Sequence, residues 1–185
     1  MIKEENGKTR VYKLAVCALM CAMICVLSVL AFPVFAIPIT FSVFAVLLVG
    51  ALLTPKYALF CTLGYILLGA VGLPVFSGFN GGLGVLFGPT GGYIMAYPFM
   101  ALAVSITVKL FKKRSVLSLT VGMLAALVFC YLFGTVWFSH FKEMSFVNSL
   151  LVCVVPYVVF DLIKLALAVL AVMRTMKTPI KDKLI

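Results

Sequence analysis

No Asp, Glu, Lys, Arg or His stands between Lys13 and Lys56, and none between Lys56 and Lys109. Stretches this long without a charge cannot coat a water-soluble fold, whose residues are about a quarter charged. Across all 185 residues only 11% are charged, 65% are hydrophobic, and mean hydropathy is +1.26. The solvent such a chain faces is lipid. Hydrocarbon leaves no partner for a free backbone N–H or C=O, so each crossing must pair its own backbone groups, and continuous apolar runs of this kind read as helices. The reading is an all-α integral membrane protein, a single membrane domain over residues 1–185. Six helices of about 20 residues fit that length with short loops.

The apolar runs predict crossings over 14–32, 41–53, 57–71, 93–110, 116–138 and 146–173. The first run, of about 19 residues, exceeds the 7–15 of a signal-peptide core, so it reads as a span. Pro33 and Pro38 close it, and Ile37-Pro38-Ile39-Thr40-Phe41 turns the chain back. The second and third runs are short, and a tilted or re-entrant hairpin is the alternative for them. Either option returns the chain to the same side. Pro156 predicts a kink inside the sixth.

Basic residues set the orientation. The net charge is +10, and all of the 15 basic residues except Lys142 and Lys164 fall on one side of this layout. These are Lys3, Lys8, Arg10, Lys13, Lys56, Lys109, Lys112, Lys113, Arg114, Arg174, Lys177, Lys181 and Lys183. Cytoplasmic loops collect Lys and Arg, so both termini are expected inside. Basic residues at span ends, rather than on one face, argue against nucleic acid as a partner.

Two charges do lie within a span. Asp161 and Lys164 are three residues apart, on one helical face. Each would cost about 3 kcal/mol unpaired at the bilayer centre. A salt bridge that merely cancels this cost is one reading. Apolar residues would serve that purpose as well or better, so retention of both favours a polar ligand between helices.

Ten of the 14 glycines lie between Gly64 and Gly92, on the side expected to face outward. That density, with Pro74 and Pro89, excludes a regular lipid-facing helix. It suits either a close backbone approach to a ligand or a plain loop with tight packing through Gly84, Gly88 and Gly92. Asn80 offers both donor and acceptor there, and Phe79 and Tyr93 offer ring faces.

Other chemistries find no support. The six cysteines lie in apolar runs without a Cys-x-x-Cys, and the one histidine, His140, sits apart from them. Zinc needs convergent ligands, so small buried thiols are expected, with no metal and no cofactor. Gly-Pro-Thr-Gly-Gly lacks the Gly-Lys-Ser/Thr of a phosphate loop, and Ser77 lacks a nucleophile elbow. The chain reads as no enzyme; any ATP hydrolysis belongs to another chain.

At Pro38-Ile-Thr-Phe41, Gly64-Tyr-Ile-Leu-Leu-Gly-Ala-Val-Gly-Leu-Pro-Val-Phe76, Gly81-Gly-Leu-Gly and Gly88-Pro-Thr-Gly-Gly-Tyr93, the sequence resembles the BioY family. These are the biotin-specific S components of energy-coupling-factor (ECF) transporters, an ABC-transporter class. Asp161-Leu-Ile-Lys164, following Pro156, matches the family's carboxylate and lysine. The resemblance implies a six-helix S-component fold in a prokaryotic plasma membrane, with both termini cytoplasmic. It implies biotin as transported substrate, captured at the outer face. It also implies three partners, a transmembrane coupling protein and two ATPase subunits. Carried across, Asn80, Asp161 and Lys164 become the polar contacts to biotin, with Gly82 and Tyr93 nearby. The family's small-residue surface for the coupling protein looks like Ala18 and Ala22. Where the family often has glutamine after Ile-Thr-Phe, this chain has Ser42.

Biotin fits these residue types. Its ureido group carries two N–H donors and a carbonyl, and its tail ends in a carboxylate. Asp161 can accept, Lys164 can donate, and Asn80 can do both. Phe41, Phe76, Phe79 and Tyr93 are candidates to cover the apolar body. Which polar end meets which residue stays open at this level. So does a rival function, a stand-alone proton-coupled transporter of biotin or another vitamin.

Overall fold

The computed structural model describes residues 7–32, 37–111 and 114–177. Of the residues named above, Lys3, Pro33, Lys112, Lys113, Lys181 and Lys183 lie outside this set, as do the side chains of Lys8 and Arg10. The chain runs through α1 (Gly7–Val29), β1 (Ala31–Phe32), β2 (Ile39–Thr40), α2 (Ser42–Leu52), α3 (Pro55–Ala70), α4 (Leu83–Leu86), α5 (Gly91–Leu110), α6 (Val116–Lys142), α7 (Phe146–Cys153) and α8 (Val155–Thr175). Among the described residues four helical stretches are long and apolar enough to cross a bilayer: Val11–Val29, Gly91–Leu110, Val116–Lys142 and Val155–Thr175.

The short second run has a physical reason. A helix that is hydrophobic all round belongs inside. Helix α2 packs against α1, α3, α5 and α8, and every residue from Ala45 to Leu53 is buried. It is the central post of the bundle rather than a lipid-facing span. Gly50 permits its closest contact, since a Cβ there would meet the Ala101 carbonyl oxygen at 2.7 Å and the Val104 Cβ at 2.8 Å.

Helices α5 and α6 form the most extensive pair. Small residues let them approach, as is usual where lipid supplies no hydrophobic drive between helices. A Cβ on Gly134 would lie 2.3 Å from the Tyr93 ring, and one on Gly92 would lie 2.3 Å from the Trp137 side chain. The Trp137 indole also donates to the Gly88 carbonyl at 2.9 Å, tying the glycine-rich segment to α6.

The expected sixth helix is two helices. The backbone breaks at Val154 (φ −120°, ψ −53°), and α8 begins with Pro156 in its first turn. Proline is at home there because a first-turn N–H has no partner to lose. Pro156 therefore starts a helix instead of kinking one.

Polar contacts gather at one end. Lys13 lies 6.0 Å over the Tyr57 ring. The Arg114 guanidinium donates to the Leu52 carbonyl at 3.2 Å and contacts Met176 Sδ at 3.7 Å, and burial lowers its pKa. Ser105 caps the Leu53 carbonyl at 2.8 Å. The opposite end holds the β1–β2 hairpin, which pairs Ala31 with Thr40 and Phe32 with Ile39, and the glycine-rich segment between α3 and α5.

Candidate functional site

Helix α8 presents one buried face, with Tyr157, Asp161, Lys164, Leu165, Ala168, Val169 and Val172 at helical spacing. The polar members fall in its first half. Lys164 Nζ donates to Asp161 Oδ1 at 2.9 Å, with both side chains under 10% exposed. Tyr131 of α6 donates its hydroxyl proton to Asp161 Oδ2 at 2.7 Å. The carboxylate is thus held from two helices. Tyr157, one turn before Asp161, accepts the Ile37 amide at 2.9 Å and donates to the Ile37 carbonyl. That pair of bonds fastens the hairpin onto α8.

These groups line a narrow cavity of about 70 Å³, completed by Ile37 to Thr40, Val43, Tyr93, Tyr97, Leu127, Cys130 and Cys153. Beside it lies a larger cavity of about 310 Å³, lined by Ser28, Ser42, Tyr65, Ser77, Asn80, Val85, Pro89, Thr90 and Ile94. Ile37, Pro38, Thr40, Tyr93 and Tyr97 line both. The site therefore has two lobes sharing a wall, one carrying the ion pair and one rich in neutral hydroxyls. Two lobes of this combined size suit a small elongated ligand with different polar ends.

The hydroxyl lobe is organised by position 42. Ser42 Oγ lies 2.5 Å from Thr40 Oγ1 and 2.7 Å from the Tyr97 hydroxyl. The Tyr97 ring stacks on Tyr65 at 6.2 Å. Ser28 Oγ is buried at the lobe's edge, beside the Tyr65 side chain.

The glycine-rich segment roofs this lobe. Phe76 is fully buried against Tyr65, edge to face at 5.5 Å, and against Gly69, where a Cβ would clash with its ring. It anchors the segment rather than facing either cavity. Asn80 reaches the larger lobe, and its Nδ2 donates to the Ser77 carbonyl at 2.7 Å. Gly82 takes φ +92°, open to glycine at no steric cost, and its amide donates to the Gly69 carbonyl at 2.7 Å.

Of the residues singled out by sequence, the structure brings Asp161, Lys164 and Tyr93 together around the narrow lobe and puts Asn80 across the shared wall. Phe41, beside the start of α2, Phe79, which is 74% exposed, and Gly82 line neither cavity. Ala18 and Ala22 lie exposed on α1, in line with Ala15 and Val26. Tyr131, Tyr157, Ser28 and Tyr97 join the walls of these lobes without any pattern in the sequence that marks them. All six cysteines are free thiols, and no group of three or more His, Cys, Asp or Glu among the described residues is placed to hold a metal.

Comparison with known proteins adds a family. The model of the BioY family matches residues 3–180. The biotin transporter BioY of Thermotoga maritima is 36% identical over 160 residues, covering 86% of this chain and 93% of its own. Biotin transporter BioY2 of Lactococcus lactis subsp. cremoris is 35% identical over 156 residues, covering 84% and 85%. A crystal structure of the S-component for biotin from an ECF-type ABC transporter superposes with a TM-score of 0.86. It is 28% identical in sequence, covering 94% of this chain and 95% of that one. With residues 3–180 matched by the family model and its fold shared, the chain belongs to the BioY family.

Proposed function

We propose that this protein is the biotin-binding S component of an ECF-type transporter. It captures biotin at the outer face of the plasma membrane and carries out no chemistry itself. The observation that carries this reading is the two-lobed cavity with a buried, hydrogen-bonded ion pair at one end. Relatives described as biotin transporters and the biotin S-component neighbour support the choice of ligand. Six crossings follow if α7 and α8 count as one and α2 and α3 traverse with the rest. Basic residues at the α1, α3 and α8 ends then place both termini in the cytoplasm, and the cavity opens outward beneath the hairpin and the glycine-rich segment.

Donor and acceptor counting orients the ligand. Asp161 repels a carboxylate, whereas a ureido group offers N–H groups to acceptors and a carbonyl to the donors of Lys164. The ureido ring therefore enters the narrow lobe. The ring body and tail occupy the larger one, with Asn80 and Tyr93 beside them and Phe41, Phe79 and Gly82 at its rim. ATP-driven release inward requires partners, a coupling protein and two ATPase subunits. Ala18 and Ala22 offer the coupling protein a small-residue surface open to close approach.

The test is direct. Purified protein in detergent, titrated with biotin by calorimetry, binds one equivalent, and thiamine and riboflavin do not compete. No heat with biotin, or tighter binding of another vitamin, rejects the reading. Protein reconstituted alone in liposomes takes up no biotin under a pH gradient; uptake there would establish the proton-coupled transporter instead.

A further inference from the structure

Tyr131 has one hydroxyl proton, and that proton is committed to Asp161 Oδ2 at 2.7 Å. A carboxylate paired with an ammonium accepts hydrogen bonds and donates none. The hydroxyl orientation is therefore fixed: Tyr131 can show the cavity only its oxygen lone pairs, which have no other partner among the described residues. Lys164 is the complement. One of its three N–H groups is spent on Asp161 Oδ1, and it can accept nothing. The narrow lobe is thus polarised, an acceptor on α6 facing a donor on α8 across a shared carboxylate. Of the α6 residues lining it, Leu127, Cys130 and Tyr131, only Tyr131 brings an oxygen.

We infer that Tyr131 is a specificity-determining residue that accepts one ureido N–H of the ligand while its proton holds Asp161 in place. The inference rests on the biotin reading and goes beyond it, because it assigns a discriminating role to a tyrosine on a different helix from the ion pair. A ligand with an N–H beside a carbonyl satisfies both sides of the lobe. One with a ring oxygen in place of that N–H sets two acceptors against each other, and sites built on such hydrogen bonds reject the mismatched analogue strongly.

The experiment compares wild type and Tyr131→Phe, in detergent, against biotin and two carbamate analogues in which one or the other ureido N–H is replaced by oxygen. Wild type is expected to bind one carbamate at least tenfold more weakly than biotin. Tyr131→Phe is expected to lose at least tenfold in biotin affinity and to distinguish biotin from that carbamate by less than threefold. A variant that binds biotin within twofold of wild type overturns the inference. So does a variant that weakens biotin binding yet keeps the wild-type preference, since that pattern marks a purely structural role. Should Tyr131→Phe not fold, wild type decides: equal affinity for both carbamates and biotin overturns the assignment, and a tenfold loss for one carbamate alone supports it. Wild type that binds no biotin rejects the proposed function itself, and this inference with it, and is read before any variant is made.

Discussion

The Tyr157 hydroxyl holds both backbone groups of Ile37, accepting its amide at 2.9 Å and donating to its carbonyl. One side chain of α8 thereby fixes the hairpin segment that walls both lobes. Tyr157→Phe removes both bonds and little volume. Each is worth about 0.5–1.5 kcal/mol net, so biotin is expected to dissociate some five- to tenfold faster. A chase of labelled biotin measures it. An unchanged dissociation rate would show that the hairpin is held by other means.

The ion pair separates two roles. Asp161→Asn and Lys164→Ala are each expected to weaken biotin binding at least tenfold, about 1.4 kcal/mol. Lys164→Ala should also lower stability by about 3–5 kcal/mol, because it strands a buried carboxylate. The double variant Asp161→Leu with Lys164→Leu removes both charges, and stability should return while binding does not. Melting temperatures and titrations on the four proteins check this. Retention of biotin affinity by the double variant would reduce the pair to a structural salt bridge.

The exposed stripe of α1 makes a claim about assembly. Ala18 faces away from the core, so Ala18→Trp should leave biotin affinity within twofold of wild type. A bulky ring there blocks close helix contact, and the variant should fail to co-purify with the coupling protein. Recovery of an intact complex would move the contact surface elsewhere.

Much of the architecture was legible because lipid forbids charge. The ion-free stretches on either side of Lys56 announced helices, and the three-residue spacing of Asp161 and Lys164 announced a shared face. Two features were not readable for definite physical reasons. Pro156 is compatible with a kink or with a helix start, and only the backbone at Val154 decides between them. Tyr131 is one of seven tyrosines and sits in an apolar helix, where an aromatic ring reads as packing. Its role comes from α8 arriving opposite it, a tertiary fact. Ser42, which departs from the family's frequent glutamine, still joins a hydrogen-bonded chain, but its partner Tyr97 lies 55 positions away.

Gly134 and Tyr93 provide the last test. Tyr93 lines both lobes, and its ring fills the space where Gly134 lacks a side chain. A methyl group at 134 would sit 2.3 Å from that ring, so Gly134→Ala must push Tyr93 aside or push α5 from α6. Overpacking of this kind costs about 1–3 kcal/mol. If the ring moves, it moves into the cavity wall, and biotin affinity should fall at least fivefold. Tyr93→Leu in the same background, which removes the clash, should recover the melting temperature while affinity stays low, because the wall is then missing. A Gly134→Ala protein with wild-type affinity and melting temperature would mean that the helices part without cost, contradicting the close packing seen between α5 and α6.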